Sequence, residues 1–248
     1  MKKIIKKIRN IIFDTLNPKL VKVIKSNLTY LSKGALYNIY KSVKRIELNN
    51  IPGIFVETGC ALGGSTILIG LTKSKTRRLN VYDVFGMIPP PTNNDGIDIH
   101  NRYEIIKEGK SEGINGELYY GYEQDLLNKV KQNLKKFGLT ENDNISLIQG
   151  LYEETLKIDE PIAFAHIDCD WYSSVMTCLQ QIEPNLSNGG IMIIDDYYDW
   201  SGCKKAIDKY FYENDRKIFF QFKTINNKLI IEKKKSGAYF TLEKTGGK

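Results

Sequence analysis

The sequence predicts an α/β fold in which one doubly wound, mostly parallel sheet of seven strands carries helices on both faces. From Ile51 onward, short apolar runs alternate with helical stretches. Apolar runs of this length, bounded by turn signals, are typical of buried parallel strands, and their alternation with helices builds βαβ units. At 248 residues, of which 42% are hydrophobic, the chain is long enough for one domain with a full core.

The predicted strands follow one another along the chain and end in a hairpin around residues 225–227. They are Ile54–Thr58, Leu79–Val84, Ile145–Gln149, Ile162–Asp168, Ile191–Asp195, Lys217–Lys223 and Asn227–Lys233. Apolar spacing predicts helices within residues 19–48 and at Ser65–Lys73, Tyr103–Lys107, Asp125–Phe137, Ser173–Ile182 and Cys203–Tyr212. The polar stretch of about residues 86–120 contains three consecutive prolines, and we interpret it as a lid because long loops inside a domain are usually functional.

The excess of positive charge is confined to the N-terminal part of the chain. Residues 1–48 carry 10 Lys and 2 Arg against Asp14 and Glu47, so their formal charge is +10 and the remaining 200 residues sum to −3. A nearly neutral body argues against a nucleic-acid partner. We therefore divide the chain into a basic helical extension, residues 1–48, and a main domain, residues 49–248.

Residues 2–13 place isoleucines at helical spacing with lysines between them, which predicts a basic amphipathic helix. Such a helix packs on its own domain, packs on a second copy in a homo-oligomer, or lies on an anionic membrane surface. No apolar run reaches 18 residues, and no signal-peptide cleavage site follows the helix. These features predict a cytoplasmic protein, with peripheral contact at the inner face of the membrane as an open alternative.

Four acidic residues follow two of the predicted strands. Asp168 and Asp170 end the run from Ala165, and Asp195 and Asp196 end the run from Gly189. Carboxyl ends of parallel strands meet in the crevice where open α/β sheets bind ligands, so these acids are expected to converge. Converging carboxylates repel one another unless a cation or a proton intervenes, which favours a hard divalent metal.

The first strand is followed by a glycine-containing turn, Gly59-Cys60-Ala61-Leu62-Gly63-Gly64-Ser65, which lacks the spacing of a dinucleotide or phosphate loop. Such a turn lets the backbone and helix amides approach a ligand closely. Glu57 just before it suits a ligand that carries an ammonium or sulfonium group. Asp83 at the tip of the second strand either grips a ribose diol or caps a turn.

These residues resemble the cofactor motifs of class I S-adenosylmethionine methyltransferases, which have a Rossmann-like fold. The later runs His166-Ile167-Asp168-Cys169-Asp170-Trp171-Tyr172, Ile194-Asp195-Asp196-Tyr197 and Trp200-x-Gly202-Cys203 resemble the macrocin-type O-methyltransferases. That family consists of magnesium-dependent sugar O-methyltransferases of antibiotic and related pathways. The resemblance covers about residues 50–215 and leaves the N-terminal helices and the hairpin outside it.

The resemblance implies a role for individual residues. S-adenosyl-L-methionine would be held by the turn after the first strand, by Asp83 and Asp168, and by the turn after the third strand near the adenine. The residues concerned are Glu57, Gly59, Cys60, Gly63, Gly64, Ser65, Asp83, Gln149, Gly150, Leu151 and Asp168. Asp168, Asp195 and Asp196 would hold Mg²⁺, and the acceptor would be a small-molecule or glycan hydroxyl.

Methyl transfer to a sugar hydroxyl needs a base, since the hydroxyl has too high a pKa to react unaided. The candidate catalytic residues are Asp168, Asp170 and His166. Asp170 has an alternative role as the cap of the following helix. His166 shares a strand face with Asp168, so a core or supporting histidine is the alternative to a base.

Two other functions fit parts of the sequence. Asp168-Cys169-Asp170 is also the D-x-D pattern of metal-dependent glycosyltransferases, although the early glycine turn and the second acidic pair argue against that function. A non-catalytic peripheral adaptor is the second alternative, but a scaffold gains nothing from converging carboxylates. The four cysteines lack metal-site or C-x-x-C spacing, which predicts buried thiols in a reducing compartment.

Overall fold

One seven-stranded sheet organises the part of the chain that the computed structural model describes, residues 17–213 and 215–234. Its strands are β1 (Ile54–Thr58), β2 (Leu79–Asp83), β3 (Ile145–Gln149), β4 (Ile162–Ile167), β5 (Leu186–Ile194), β6 (Phe220–Ile225) and β7 (Lys228–Lys233). The strand order is β3-β2-β1-β4-β5-β7-β6. Strands β1–β5 pair in parallel, and β7 is antiparallel to both of its neighbours. The predicted doubly wound, mostly parallel sheet with a C-terminal hairpin is confirmed.

Eight α-helices connect or flank these strands within the described residues. They are α1 (Pro18–Ile24), α2 (Lys33–Leu48), α3 (Gly64–Thr72), α4 (Ile97–Lys107), α5 (Leu126–Lys136), α6 (Tyr152–Thr155), α7 (Tyr172–Ile182) and α8 (Ser201–Tyr212). The single turn α6 was not predicted, and α4 begins six residues before the predicted Tyr103. The predicted lid therefore contains a helix of 11 residues, longer than the one predicted.

Two boundaries differ from the sequence prediction for local reasons. Strand β5 starts at Leu186, because Leu186 pairs with Ile162 before an irregularity in the register. The glycines at 189 and 190, which precede the predicted strand Ile191–Asp195, lie inside β5. The first hairpin strand starts at Phe220, because Arg216–Phe219 form a 3-10 turn. The predicted hairpin turn is confirmed.

The sheet is buried between two apolar layers, and alternate residues of β1 serve each one. Phe55 faces α1, α2, α3 and α5, where it joins the core with Val43, Ile67 and Val130. Val56 faces α6, α7 and α8. This double coverage explains the continuous apolar runs of the strands. The four cysteines are buried and free, as predicted.

Helix α2 is part of the main core, although it lies in the predicted N-terminal extension. Its buried residues Leu36, Ile39, Val43 and Ile46 pack in the same cluster as β1. The Ser32 hydroxyl accepts a hydrogen bond from the Ala35 amide (3.1 Å) and so caps the helix. Residues 33–48 thus cover the sheet. The division at residue 48 stays a prediction, and the predicted amphipathic helix at 2–13 lies outside the described residues.

Helix α2 also holds the tip of the hairpin between β6 and β7. The side-chain amide of Asn38 donates to the Ile225 carbonyl (2.7 Å), and the side-chain amide of Asn226 donates to the Gly34 carbonyl (3.0 Å). Asn226 and Asn227 both have positive φ, as a two-residue hairpin turn requires. The hairpin is therefore fixed against the body of the protein at its tip as well as along β5.

Within the described residues, no helix combines the length and apolar character needed to cross a bilayer.

Candidate active site

A cavity of about 750 Å³ opens at the carboxyl ends of β1, β2, β4 and β5. Its walls come from the loops that follow these strands, from the segment before α2, from the lid and from the start of β7. Ligands of open α/β sheets bind at this edge, next to the strand at which the order reverses. Here the order reverses at β1 and β4, the two central strands.

The turn after β1 approaches β4 so closely that only glycine fits at its first position. Gly59 has φ +83°, and a Cβ there would lie 1.8 Å from the carbonyl oxygen of Asp168. Its amide donates to the Tyr82 carbonyl (2.9 Å). Ala61, Phe85 and Asp170 also have positive φ, at 45°, 48° and 56°. Strained backbone of this kind clusters at functional sites, and here Gly59, Ala61 and Asp170 line the cavity.

Glu57 is fully buried beneath this turn and does not line the cavity. One carboxylate oxygen lies 3.0 Å from Nδ1 of His166, and the other accepts a hydrogen bond from the Thr66 hydroxyl. Glu57 thereby joins β1, β4 and the first turn of α3. Its contacts make it a support of the glycine turn.

His166 lies on the same buried sheet face and is also fully inaccessible. Its Nδ1 is engaged by Glu57, and its Nε2 has no hydrogen-bond partner among the described residues. The cavity walls do not include it. This position favours the supporting role over that of a general base.

Asp83 lines the cavity and holds two turns at once. One carboxylate oxygen accepts from the Cys60 amide (2.8 Å), and the other accepts from the Phe85 amide (2.7 Å). Burial raises the pKa of Asp83, while these amide hydrogen bonds act in the opposite direction. The turn-capping role is therefore present in the structure, at a position that a bound ligand would also contact.

The remaining predicted cofactor residues divide into two groups. Gly59, Cys60, Ser65 and Leu151 line the cavity. Four others do not line it, namely Gly63, Gly64, Gln149 and Gly150. A Cβ at Gly63 would meet the Val130 side chain at 3.1 Å, and one at Gly64 would meet the Leu28 carbonyl at 2.5 Å. These two glycines permit close packing behind the turn.

Three carboxylates converge at the carboxyl ends of β4 and β5. Asp168, Asp195 and Asp196 each offer an oxygen, and these oxygens lie within 4.8 Å of one another. The backbone ladder brings them together, because the Asp168 amide donates to the Thr58 carbonyl (2.9 Å) and the Asp195 amide donates to the Ile167 carbonyl (3.0 Å). The convergence predicted from the sequence is present.

The electrostatics of this cluster favour a cation. Burial raises the pKa of Asp168 far above its ordinary value, and the carboxylates of Asp195 and Asp170 raise it further. The pKa of Asp196 is raised by burial and by the same acidic neighbours. Oδ1 of Asp195 is buried and has no hydrogen-bond partner within the described residues. A buried carboxylate oxygen left in this state is costly unless a ligand completes it.

Asp170 faces the cavity and does not cap α7. The residue before α7 is Trp171, with no side-chain cap, and the Tyr172 amide donates instead to Asp95 (2.7 Å). The proposed capping role of Asp170 is therefore wrong. The Asp170 amide lies 3.3 Å from a carboxylate oxygen of Asp196, and burial together with Asp195 raises the Asp170 pKa to about 6.

The hairpin adds a cation that the sequence did not indicate. Nζ of Lys228 lies 2.7 Å from Oδ2 of Asp195 and 2.8 Å from Oδ2 of Asp199, and it lines the cavity. Burial lowers the pKa of Lys228, but Asp195 and Asp199 together outweigh this effect, so the pKa is raised and the amine is charged. This contact depends on the order of the strands in the sheet, so it could not be predicted from the sequence without knowing that order.

The opposite wall is aromatic and includes part of the predicted lid. Tyr30 and Tyr120 meet edge to face at 5.9 Å between ring centroids. The Arg102 guanidinium lies 5.8 Å from the Tyr119 ring and donates to the Ser111 hydroxyl (2.8 Å). The indole of Trp171 donates to the Pro89 carbonyl (2.9 Å), which holds the lid against the loop after β4. Tyr30, from the segment before α2, was not predicted as a residue of the site.

Together, the sheet order, the antiparallel β7 and the cavity beside the glycine turn define the Rossmann-like class I methyltransferase fold. The family model described as Macrocin-O-methyltransferase (TylF) matches residues 24–234. Because this match spans most of the chain, the chain belongs to the macrocin O-methyltransferase family. The predicted limits of about 50–215 were too narrow, since the match includes α2 and the hairpin.

Individual relatives support the same family. The chain is 28% identical over 187 residues to the demethyldecarbamoylnovobiocin O-methyltransferase of Streptomyces niveus, covering 71% of this chain and 64% of that protein. It is 30% identical over 181 residues, with the same coverage, to a tetracenomycin 4'-O-methyltransferase of Streptomyces olivaceus that acts on a dimethoxy-rhamnosyl compound. The chain thus spans about 64% of the length of these relatives. The structure of the O-methyltransferase NovP superposes with a TM-score of 0.68 at 24% identity, covering 84% of this chain and 82% of NovP.

Proposed function

We propose that this protein transfers a methyl group from S-adenosyl-L-methionine to a hydroxyl of a sugar or glycoside, with Mg²⁺ bound at the acidic cluster. The observation that carries the proposal concerns Asp195, whose Oδ1 is buried without a hydrogen-bond partner in the described residues. Asp195 converges with Asp168 and Asp196 in the same cavity as the glycine turn. Both relatives described above are O-methyltransferases by name, and the substrate named for one of them carries a dimethoxy-rhamnosyl group.

The cofactor would occupy the part of the cavity next to β1 and β2. Gly59, Cys60 and Ser65 supply the turn that lines it, and Asp83 lies at the tip of β2. Asp83 would accept from the ribose hydroxyls while it keeps the Cys60 and Phe85 amides in place. Glu57 would act indirectly, by holding this turn through Thr66 and His166.

The donor set of the acidic cluster fits Mg²⁺. Hard divalent cations prefer carboxylate oxygens, and Asp168, Asp195 and Asp196 supply three. A bound Mg²⁺ lowers the pKa of a coordinated hydroxyl and orients it. The metal and the cofactor residues face one cavity, so a hydroxyl held near Asp195 would also be near the methyl group.

Asp170 is the better placed candidate base, since Asp168 is assigned to the metal. It faces the cavity from the loop after β4, beside Asp196. The acceptor hydroxyl would pass its proton to this carboxylate. The oxygen forms its bond to the methyl carbon as the carbon–sulfur bond breaks, and the electron pair stays on sulfur.

A methyl-transfer assay tests the proposal as a whole. Purified protein is incubated with S-adenosyl-L-methionine and a panel of glycosides, with Mg²⁺ or with a chelator, and products are read by mass spectrometry. Gain of one methylene in mass on a glycoside, in the presence of Mg²⁺ only, supports it. Calorimetry that shows binding of a nucleotide sugar and none of S-adenosyl-L-methionine would instead support the glycosyltransferase alternative.

Asp83→Asn is expected to weaken S-adenosyl-L-methionine binding by roughly tenfold or more, because a charge-assisted contact worth about 1–3 kcal/mol is lost. Isothermal calorimetry measures the change. Asp159→Asn makes the same chemical change at an exposed position and serves as the matched control. Equal affinity in Asp83→Asn and wild type would remove Asp83 from the cofactor site.

We also propose that residues 2–13 set the location or assembly of the protein and take no part in the chemistry. They carry much of the excess positive charge and lie outside the family match at 24–234. Deletion of residues 1–16 is expected to weaken liposome sedimentation or dimer formation and to leave turnover on a water-soluble acceptor nearly unchanged. Turnover lost in a folded deletion variant of unchanged assembly state would contradict this.

A further inference from the structure

We propose that Lys228 is an internal counter-cation of the acidic cluster, which competes with a divalent ion for Asp195. This inference rests on the metal site proposed above. It assigns to the C-terminal hairpin a part in that site. The hairpin would offset the repulsion among the carboxylates when no metal is bound. It would also weaken metal binding, so that the ion exchanges readily.

The first support is the geometry of Asp195. Its two oxygens are in different states, because Oδ2 accepts from Nζ of Lys228 at 2.7 Å and Oδ1 is buried without a partner in the described residues. Lys228 thus occupies one oxygen of the carboxylate and leaves the other without a protein partner in the described residues, in a residue that converges with Asp168 and Asp196. A cation at Oδ1 would share Asp195 with the lysine ammonium.

The second support is the balance of charge. Four carboxylates lie close to the Lys228 ammonium, namely Asp168, Asp170, Asp195 and Asp196, of which Asp195 and Asp196 are buried and Asp168 and Asp170 are half-buried. The Lys228 ammonium is the cation in direct contact with them in the described part of the chain, and its side chain is only 11% exposed. Asp199, at 2.8 Å, holds it from the outer side. At such distances and with little water, the charge of one lysine changes the potential of the site strongly.

The third support is that backbone pairing on either side of Lys228, as well as side-chain packing, fixes the position of this residue. Leu229 pairs with Ile194 in the antiparallel ladder, which sets Lys228 next to Asp195. Asn226 anchors the preceding turn to Gly34. Since both sides of Lys228 are fixed, its charge remains near Asp195 whether or not a metal binds.

The test compares Lys228→Met, Lys228→Arg and the wild type in calorimetric Mg²⁺ titrations without acceptor. Lys228→Met removes the charge and keeps the chain length, so Mg²⁺ is expected to bind roughly tenfold more tightly. Lys228→Arg should match the wild type. Lys223→Met, which removes an exposed lysine from the adjacent strand β6, is the matched control and should also match. Equal or weaker Mg²⁺ binding by Lys228→Met would overturn the inference.

A metal-free measurement separates this inference from the proposed function. In chelator, Lys228→Met is expected to unfold at a Tm lower by about 5 °C or more, because an acidic cluster has lost its counter-charge. The same lysine substitution made in an Asp195→Asn background should lower the Tm much less. An equal cost in both backgrounds would show that Lys228 acts by packing alone, and the inference would be wrong. If no variant responds to Mg²⁺, the metal site and the inference both fail, whereas an equal response in all variants contradicts the inference alone.

Discussion

Asp195→Ala is expected to lower methyl transfer by about three orders of magnitude, since metal activation of a hydroxyl contributes several kcal/mol to the transition state. Asp195 is buried at the end of β5, and its Oδ1 has no hydrogen-bond partner in the part of the chain that the structure describes. Without it, two carboxylates remain, and the geometry around the ion is lost. The rate constant kcat in saturating Mg²⁺ is the measurement.

The specificity of this effect is checked in two ways. Calorimetry should show that Asp195→Ala still binds S-adenosyl-L-methionine, because Gly59, Cys60 and Asp83 belong to other strands. A chelator should reproduce the loss in the wild type, and added Mg²⁺ should restore the wild type alone. Full activity in chelator, or activity retained by Asp168→Ala and Asp195→Ala together, would show that these acids are structural.

Gly59→Ala is expected to destabilise the protein by about 3 kcal/mol or more, from a left-handed backbone and a direct clash combined. The new Cβ would lie 1.8 Å from the Asp168 carbonyl oxygen at φ +83°. For a chain of this size, such a loss lowers Tm by roughly 6–12 °C. Because β1 or β4 must shift to relieve the clash, cofactor affinity should fall as well.

Gly138→Ala is the matched control for this substitution. Gly138 has a similar φ of +75°, and a Cβ there would meet nothing within 4 Å. Gly138→Ala should lower the free energy of unfolding by about 1 kcal/mol, which is the cost of the left-handed backbone conformation alone. Thermal unfolding of the two variants then isolates the clash. Similar Tm values would mean that the close approach of β1 and β4 relaxes freely.

The sequence predicted the sheet well because each strand carries its own local signal. Apolar runs and turn residues marked all seven strands, and acids at the ends of two runs marked the carboxylate cluster. Parallel strand ends meet at one edge whatever the strand order, so Asp168, Asp195 and Asp196 were found without knowing it.

What the sequence did not predict depends on contacts between distant segments. Lys228 meets Asp195 only because β7 lies next to β5, and a hairpin could equally pair elsewhere. Glu57 was expected to face the cofactor, yet it is buried toward His166, because it lies within β1 and the side chains of that strand alternate between two buried faces of the sheet. Asp95 from the lid, and not Asp170, accepts from the first turn of α7.

The position of β7 also has a consequence for synthesis of the chain. Strand β5 and its terminal acids leave the ribosome before residues 228–233 do, so until then β5 is an open sheet edge. During the same interval, the Gly34 carbonyl lacks its hydrogen bond from Asn226. A nascent chain that stalls after β5 therefore exposes both an unpaired strand and a cluster of uncompensated carboxylates, and the β6–β7 hairpin, which emerges later, covers both.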